Sequence, residues 1–163
     1  MAINRDFRDL FAALNEAGAS YLLVGGYALA VHAVPRFTKD LDVWVQATPD
    51  NARRVMAALR AFGAPLDRVG EEDFAREGIV FQIGLPPNRI DVLTRIDGVT
   101  FDEAWPGRLT ASYGGQPVAV IGRAHLIANK RATGRAQDAL DADQLEASPG
   151  GDGPRARPRR LVP

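Results

Sequence analysis

Asp40, Asp42 and Asp91 are the residues through which this sequence could do chemistry. Asp40 and Asp42 stand two apart in RFTKDLDVWV (residues 36–45), and Asp91 stands in NRIDVLT (residues 88–94). Leu41, Val43, Trp44 and Val45 are the residues of a β-strand, a setting that normally avoids aspartate. Side chains at i and i+2 on a strand share a face, so the two carboxylates would project together. They repel, and one would take up a proton unless a cation sits between them. Hard oxygen ligands of this kind suit Mg²⁺ or Mn²⁺, above all beside substrate phosphates. If the strand of Asp91 neighbours that of Asp40 and Asp42, the three acids form one cluster for two metals, able to stabilise the attacking and leaving oxygens of a phosphoryl group. Asp91 could also orient or deprotonate the attacking hydroxyl. The plainer readings are a solvent-facing edge strand for Asp-x-Asp and a strand end after a turn for Asp91. The apolar neighbours argue instead for a central strand.

A second feature lies upstream, in LLVGGYALAVH. A strand, two glycines and a helix start make a turn whose backbone N–H groups can converge on an anion, helped by the positive end of the helix. Glycine lets a phosphate approach the backbone closely. Gly25-Gly26 is not a Walker A loop, because no Gly-Lys-Ser/Thr follows, and it lacks the third glycine of a dinucleotide fingerprint. By itself such a pair is also what any tight turn looks like.

The elements that must position these residues follow from periodicity. Phe7, Leu10, Phe11 and Leu14 recur at helical spacing, with Gly18 as the stop. Tyr21 to Val24 reads as a strand, and YALAVHAV as a small-residue helix ended by Pro35. Asp40 to Gln46 is the second strand. Thr48 and Pro49 mark a helix start, and Val55, Met56, Leu59 and Phe62 share one face of that helix. DRVGEEDFAREG holds a turn or short helix. Ile79–Ile83 and Arg89–Thr94 form a hairpin about Pro86-Pro87-Asn88, and Phe101 to Trp105 a short helix. Arg108–Tyr113 and Gln116–Ile121 flank Gly114-Gly115 as a second hairpin. Helices follow from Arg123 and over Arg135 to Leu145. The expected class is α/β, a mixed sheet flanked by helices with further helices at the C-terminal end.

Composition bounds the rest. The 163 residues suffice for one domain with a real core, expected over residues 1–147. Residues 148–163, rich in proline, glycine and arginine, are expected to be a disordered tail, with RNA or an acidic partner as the less favoured reading. Formal net charge is zero, which gives no bulk argument for nucleic acid or membrane. The absence of cysteine removes disulfides and thiolate chemistry and fits a reducing compartment. With no signal-type apolar segment and no run long enough to cross a bilayer, the expectation is a cytoplasmic protein with no membrane partner.

Taken together, the Gly-Gly turn opening a helix, the Asp-x-Asp on the next strand and a lone Asp on a later strand resemble the nucleotidyltransferase superfamily with the polymerase-β-type fold. LLVGGYALAVHAVPRFTKDLDVWV looks like its core motif. Arg36 and Thr38, just before the acidic pair, are similar to small prokaryotic members: minimal nucleotidyltransferases and the abortive-infection toxins of type IV toxin–antitoxin systems. HLIANKRATGRAQDALDADQL is similar to their C-terminal helical segment, and the resemblance covers roughly residues 5 to 147. It implies that Gly25 and Gly26 hold a nucleoside triphosphate, with Arg36 and Thr38 beside them. Asp40, Asp42 and Asp91 would be both catalytic and metal-binding. Lys130 would reach nucleotide or acceptor, with Arg135 and Asp138 nearby. Many members have Gly-Ser where this chain has Gly25-Gly26. The implied reaction moves a nucleoside monophosphate from a triphosphate to a hydroxyl on an RNA end, a protein or a small molecule, with Mg²⁺ or Mn²⁺. An antitoxin-like protein is a further implied partner. A non-catalytic nucleotide- or partner-binding module on the same fold, or a sensor that binds triphosphate without transfer, is the alternative.

Other residues have plainer readings. Arg36 could contact a phosphate or pair with Asp40. Lys39 points away from the acidic pair. His32 and His125 read as packed histidines, and Trp44 and Trp105 as core. Asp138 and Asp141, three apart on a helix, read by themselves as a solvated face.

Overall fold

The computed structural model describes residues 3–33, 38 and 40–148, together with the backbone of 159 and 160. The element order is α1 (Arg5–Glu16), β1 (Tyr21–Val24), α2 (Gly25–His32), β2 (Asp40–Val45), α3 (Pro49–Phe62), α4 (Glu71–Phe74), β3 (Val80–Ile83), β4 (Arg89–Leu93) and α5 (Phe101–Ala104). A 3₁₀ turn at Trp105–Gly107 leads to β5 (Leu109–Tyr113), β6 (Gln116–Val120), α6 (Arg123–Ala132), α7 (Ala136–Ala147) and β7 (Arg159–Arg160). The described strands form one mixed sheet in the order β3-β4-β2-β1-β6-β5-β7. The expected α/β class is therefore the one observed, including both hairpins and the C-terminal helices. Of the expected tail, residues 149–158 and 161–163 lie outside the described residues, while Arg159–Arg160 pairs parallel with β5.

Local chemistry explains the boundaries. The Asn4 side chain accepts from the Asp6 and Phe7 N–H groups and caps α1. Thr48 caps α3 by accepting from the Asn51 N–H, Pro49 fills the first turn, and Gly63 ends the helix in the left-handed conformation. Thr100 and Glu103 form a reciprocal capping box on the single turn of α5.

β2 is the central strand that the apolar pattern implied. It runs antiparallel to β1 and parallel to β4. Leu41, Val43 and Val45 alternate with the aspartates and are almost fully buried. Opposite them in register on β4 stand Ile90 and Val92. Tyr21 of β1 shares that face, and its ring stacks on Phe11 of α1 with centroids 6.2 Å apart. The other face carries Asp40, Asp42 and Trp44. Phe101 of α5 meets the Trp44 ring edge-on at 5.1 Å, covering that end of the face and leaving the carboxylate end to α6 and α7. His32 is packed as expected, its Nε2 2.7 Å from the Ile121 carbonyl.

One buried polar side chain ties three elements behind this arrangement. Asn51 accepts from the Ser20 N–H (2.7 Å) and donates to the carbonyls of Ser20 (3.0 Å) and Gln46 (2.9 Å), joining α3 to the start of β1 and the end of β2. Asn51→Ala would strand those groups in a buried setting, so chemical denaturation should show a loss of about 2–4 kcal/mol. Asn51→Ala that melts like the parent would show that these bonds contribute little.

Candidate active site

The register of β2 and β4 assembles the site. Asp42 lies directly opposite Asp91, and Asp40 opposite Arg89. In parallel strands residues opposite each other point to the same face, so all four side chains meet on one side of the sheet. Val24, the last residue of β1, stands opposite Asp42 on the other flank. Thus Asp40, Asp42, Asp91 and Gly25 line a single cleft of about 530 Å³, with Lys130 and Asp138 on its helical wall.

The electrostatics are strained. Burial pushes the Asp42 carboxyl up to about 7, and the charges of Asp91 and then Asp40 push the same way, against the smaller pull of Lys130 and Arg89. Among the described residues nothing donates a hydrogen bond to Asp42. Arg89, which sequence reasoning passed over, relieves the other two acids. Its Nη2 donates to Asp40 Oδ2 at 2.8 Å and its Nε to Asp91 Oδ1 at 3.1 Å. The signal was available: Arg89 lies two before Asp91 and so shares its face.

Among the described residues no three acidic side chains close into a ready metal cage, because Asp40 and Asp91 are turned to the guanidinium. The donor set nevertheless fits a hard cation. Asp40 Oδ1 is buried without a hydrogen-bond partner, and Asp42 carries a carboxylate that its neighbours disfavour. Both deficits are ones that a divalent ion satisfies.

The glycine pair is shaped by the strand beside it. Gly25 has φ +70°, and a Cβ there would meet Asp42 Oδ2 at 2.2 Å. A Cβ on Gly26 would meet Thr38 Oγ1 at 2.7 Å and Thr38 Cβ at 2.9 Å. Thr38 therefore fills the space a serine at 26 would need. Among the described residues no side-chain hydrogen bond caps the start of α2, which lies beside the carboxylates. Arg36 and Lys39 lie outside the described residues.

On the cleft wall Lys130 is nearly buried and holds Asp138 Oδ1 and Asp141 Oδ2, each at 3.1 Å. Asp138 Oδ2 also accepts from the Thr133 hydroxyl and from Arg135 Nε, each at 2.7 Å. Burial alone would raise the Asp138 carboxyl, but the bonds from Thr133 and Lys130 and the charges of Lys130 and Arg135 outweigh it and hold it below the usual range. The reading of Asp138 and Asp141 as a solvated face is corrected here: they are 5% and 1% exposed. They face inward because a buried ammonium requires counter-charges.

The fold has counterparts among solved structures. The antibiotic-resistance factor ANT(2'')-Ia superposes with a TM-score of 0.58 at 16% identity, over 86% of this chain and 80% of its own. The lincosamide antibiotic adenylyltransferase LnuA, bound to lincomycin, superposes at 0.57 and 11%, over 88% and 96%. A candidate nucleotidyltransferase of Thermotoga maritima superposes at 0.55 and 13%, over 88% and 89%. At these identities the likeness establishes the fold, and the chain has the nucleotidyltransferase architecture. No family model and no curated protein matches the sequence.

Two outcomes follow from the site. Unfolded, Asp42 releases its proton near 3.8; folded, it keeps it to about 7. The native state binds the extra proton in between, so stability falls as pH rises through that window and stays lower above it. Asp42→Asn removes the penalty. Metal-free melts should show the variant more stable than the parent by a few kcal/mol near pH 8.5, with the gap narrower by about 1–3 kcal/mol at pH 5 and closing as pH falls towards 3.8. Equal curves at both pH values would dismiss the strain. Gly25→Ala combines a left-handed backbone with a collision on Asp42, so it should lose about 2 kcal/mol or more of stability by denaturation. A parent-like Gly25→Ala would mean the turn can relax.

Proposed function

We propose that this chain is a metal-dependent nucleotidyltransferase, moving a nucleoside monophosphate from a triphosphate to an acceptor hydroxyl. The observation that carries the reading is the meeting of Asp40, Asp42 and Asp91 on one sheet face beside the start of α2. The fold shared with LnuA and ANT(2'')-Ia supports it.

Asp40 and Asp42 would hold a divalent cation, Mg²⁺ or Mn²⁺, with Asp91 contributing to a second. Bound there, the cation offsets the charge of the triphosphate and of the leaving pyrophosphate. The chain's own groups do the rest. The uncapped N–H groups at Gly25 and Gly26 receive phosphate oxygens at the positive end of α2. Thr38 Oγ1 lies against Gly26 and can offer a hydroxyl to the same phosphates. Arg36, two residues upstream in sequence, is assigned to the phosphates by the same reading. Asp91 takes the proton of the acceptor hydroxyl as its oxygen bonds to the α-phosphorus and pyrophosphate departs. Lys130 and Arg135 present positive charge on the opposite wall, with Asp138 fixing both. Positioning and charge neutralisation supply most of the acceleration.

The acceptor is an RNA end, a protein or a small molecule. LnuA was solved with lincomycin, and ANT(2'')-Ia with adenylyl-2''-tobramycin, which favours a small hydroxylated acceptor. Incubation with each labelled triphosphate, Mg²⁺ or Mn²⁺ and panels of RNA, protein and small hydroxylated acceptors should show label transfer that a chelator stops. Asp91→Asn should slow it by about 10²–10⁴-fold. Transfer that survives the chelator or Asp91→Asn would refute the assignment.

A further inference from the structure

Arg89 already holds two of the three carboxylates, Asp40 and Asp91, that a pair of divalent cations would draw on. The guanidinium spans two strands, donating to Asp40 Oδ2 at 2.8 Å and to Asp91 Oδ1 at 3.1 Å, with a longer contact to Asp91 Oδ2 at 3.4 Å. Its planar fork suits two carboxylates in a way a point charge does not. The side chain is 29% exposed, as is that of Asp40. Directly opposite Asp40 in register and two residues before Asp91, it shares their face of the sheet. The contacts satisfy one oxygen of Asp40 and leave Oδ1 bare. Asp42, the third acid, receives no hydrogen bond from Arg89.

We propose that Arg89 is an internal competitor for the metal. Its guanidinium draws Asp40 and Asp91 together in the metal-free protein and must release at least one of them when a divalent cation binds. Metal binding without nucleotide is weakened by that amount. The residue lines the cleft, so a displaced guanidinium has a substrate phosphate within the same cleft as its natural partner. A triphosphate therefore favours the displaced state, and by linkage metal and nucleotide promote each other's binding. Arg89 is on this account a positioning residue that makes the site load both together. The inference rests on the metal-dependent reading of the site.

The test needs no turnover. Mn²⁺ is titrated by calorimetry into the full chain without nucleotide, as parent, Arg89→Gln and Arg89→Lys. Arg89→Gln should bind the ion about tenfold tighter, with Arg89→Lys between the two. In metal-free buffer Arg89→Gln should melt below the parent and gain more from saturating Mn²⁺. With a non-hydrolysable triphosphate present, the difference in affinity should shrink as the displaced parent guanidinium finds its phosphate. If the parent binds Mn²⁺ and Arg89→Gln binds it equally or more weakly, the guanidinium is a scaffold and the competition is refuted. Should Arg89→Gln fail to fold, Arg89→Lys decides the same question. A difference that triphosphate leaves unchanged overturns the coupling. Absence of binding in every protein overturns the metal-dependent reading and this inference with it.

Discussion

The parallel pairing of β2 with β4 in a single register is the constraint on which the site depends. Parallel ladders have no tight turn to set their alignment. Here the crossover passes through α3, α4 and the β3 hairpin, and the alignment is set by what lies on the far face. Leu41 meets Ile90 and Val43 meets Val92, all almost fully buried. A slip of β4 by one residue would place Ile90 and Val92 on the cleft face and Asp91 in the core. A slip of two would keep the faces but separate Asp42 from Asp91. The apolar side of the strands thus holds the carboxylates where mutual repulsion would not leave them.

That repulsion is answered in two different ways. Arg89 pairs directly with Asp40 and Asp91, whereas Lys130 spends its contacts on Asp138 and Asp141 and reaches Asp42 only through its field. Asp42 is left with the least favourable environment of the three. It also stands centrally, between Val24 at the start of the glycine turn and Asp91. Strongly shifted carboxyl groups gathered in one cleft are where functional sites tend to lie, and stability is commonly given up at such centres.

Much of the fold was legible because it rests on local rules. The 3.6-residue spacing in α1, the Thr48-Pro49 start of α3 and the glycine-centred hairpin of β5 and β6 each declare themselves within a few residues. The face shared by Asp40 and Asp42 follows from strand geometry alone. Its meeting with Asp91 does not, since it depends on strand order, and only the conditional form was available. The inward turn of Asp138 and Asp141 was hidden for the same reason. A helix with acids three apart looks solvated until Lys130, on another helix, is known to face it. Arg89 shares the site face through its period-two relation to Asp91, but its pairing with Asp40 depends on the β2–β4 register, which the sequence does not display.

The glycine pair shows how such features lock together. Gly25 is usually explained by its backbone angle or by the approach of a ligand. In this protein Asp42 already occupies the volume its Cβ would take, so the turn and the acidic strand could not be closer with any other residue. Gly26 bears the same relation to Thr38. The adjacent glycines meet residues four apart and in opposite order, Gly25 against Asp42 and Gly26 against Thr38. Gly-Gly and Thr-x-Asp-x-Asp are therefore one steric unit. The absence of a serine at position 26 is compensated in space by the threonine that precludes it, and a hydroxyl still stands at the mouth of the turn. A change at either glycine is a change to the strand that carries the acids, which is why the motif reads as a whole or not at all.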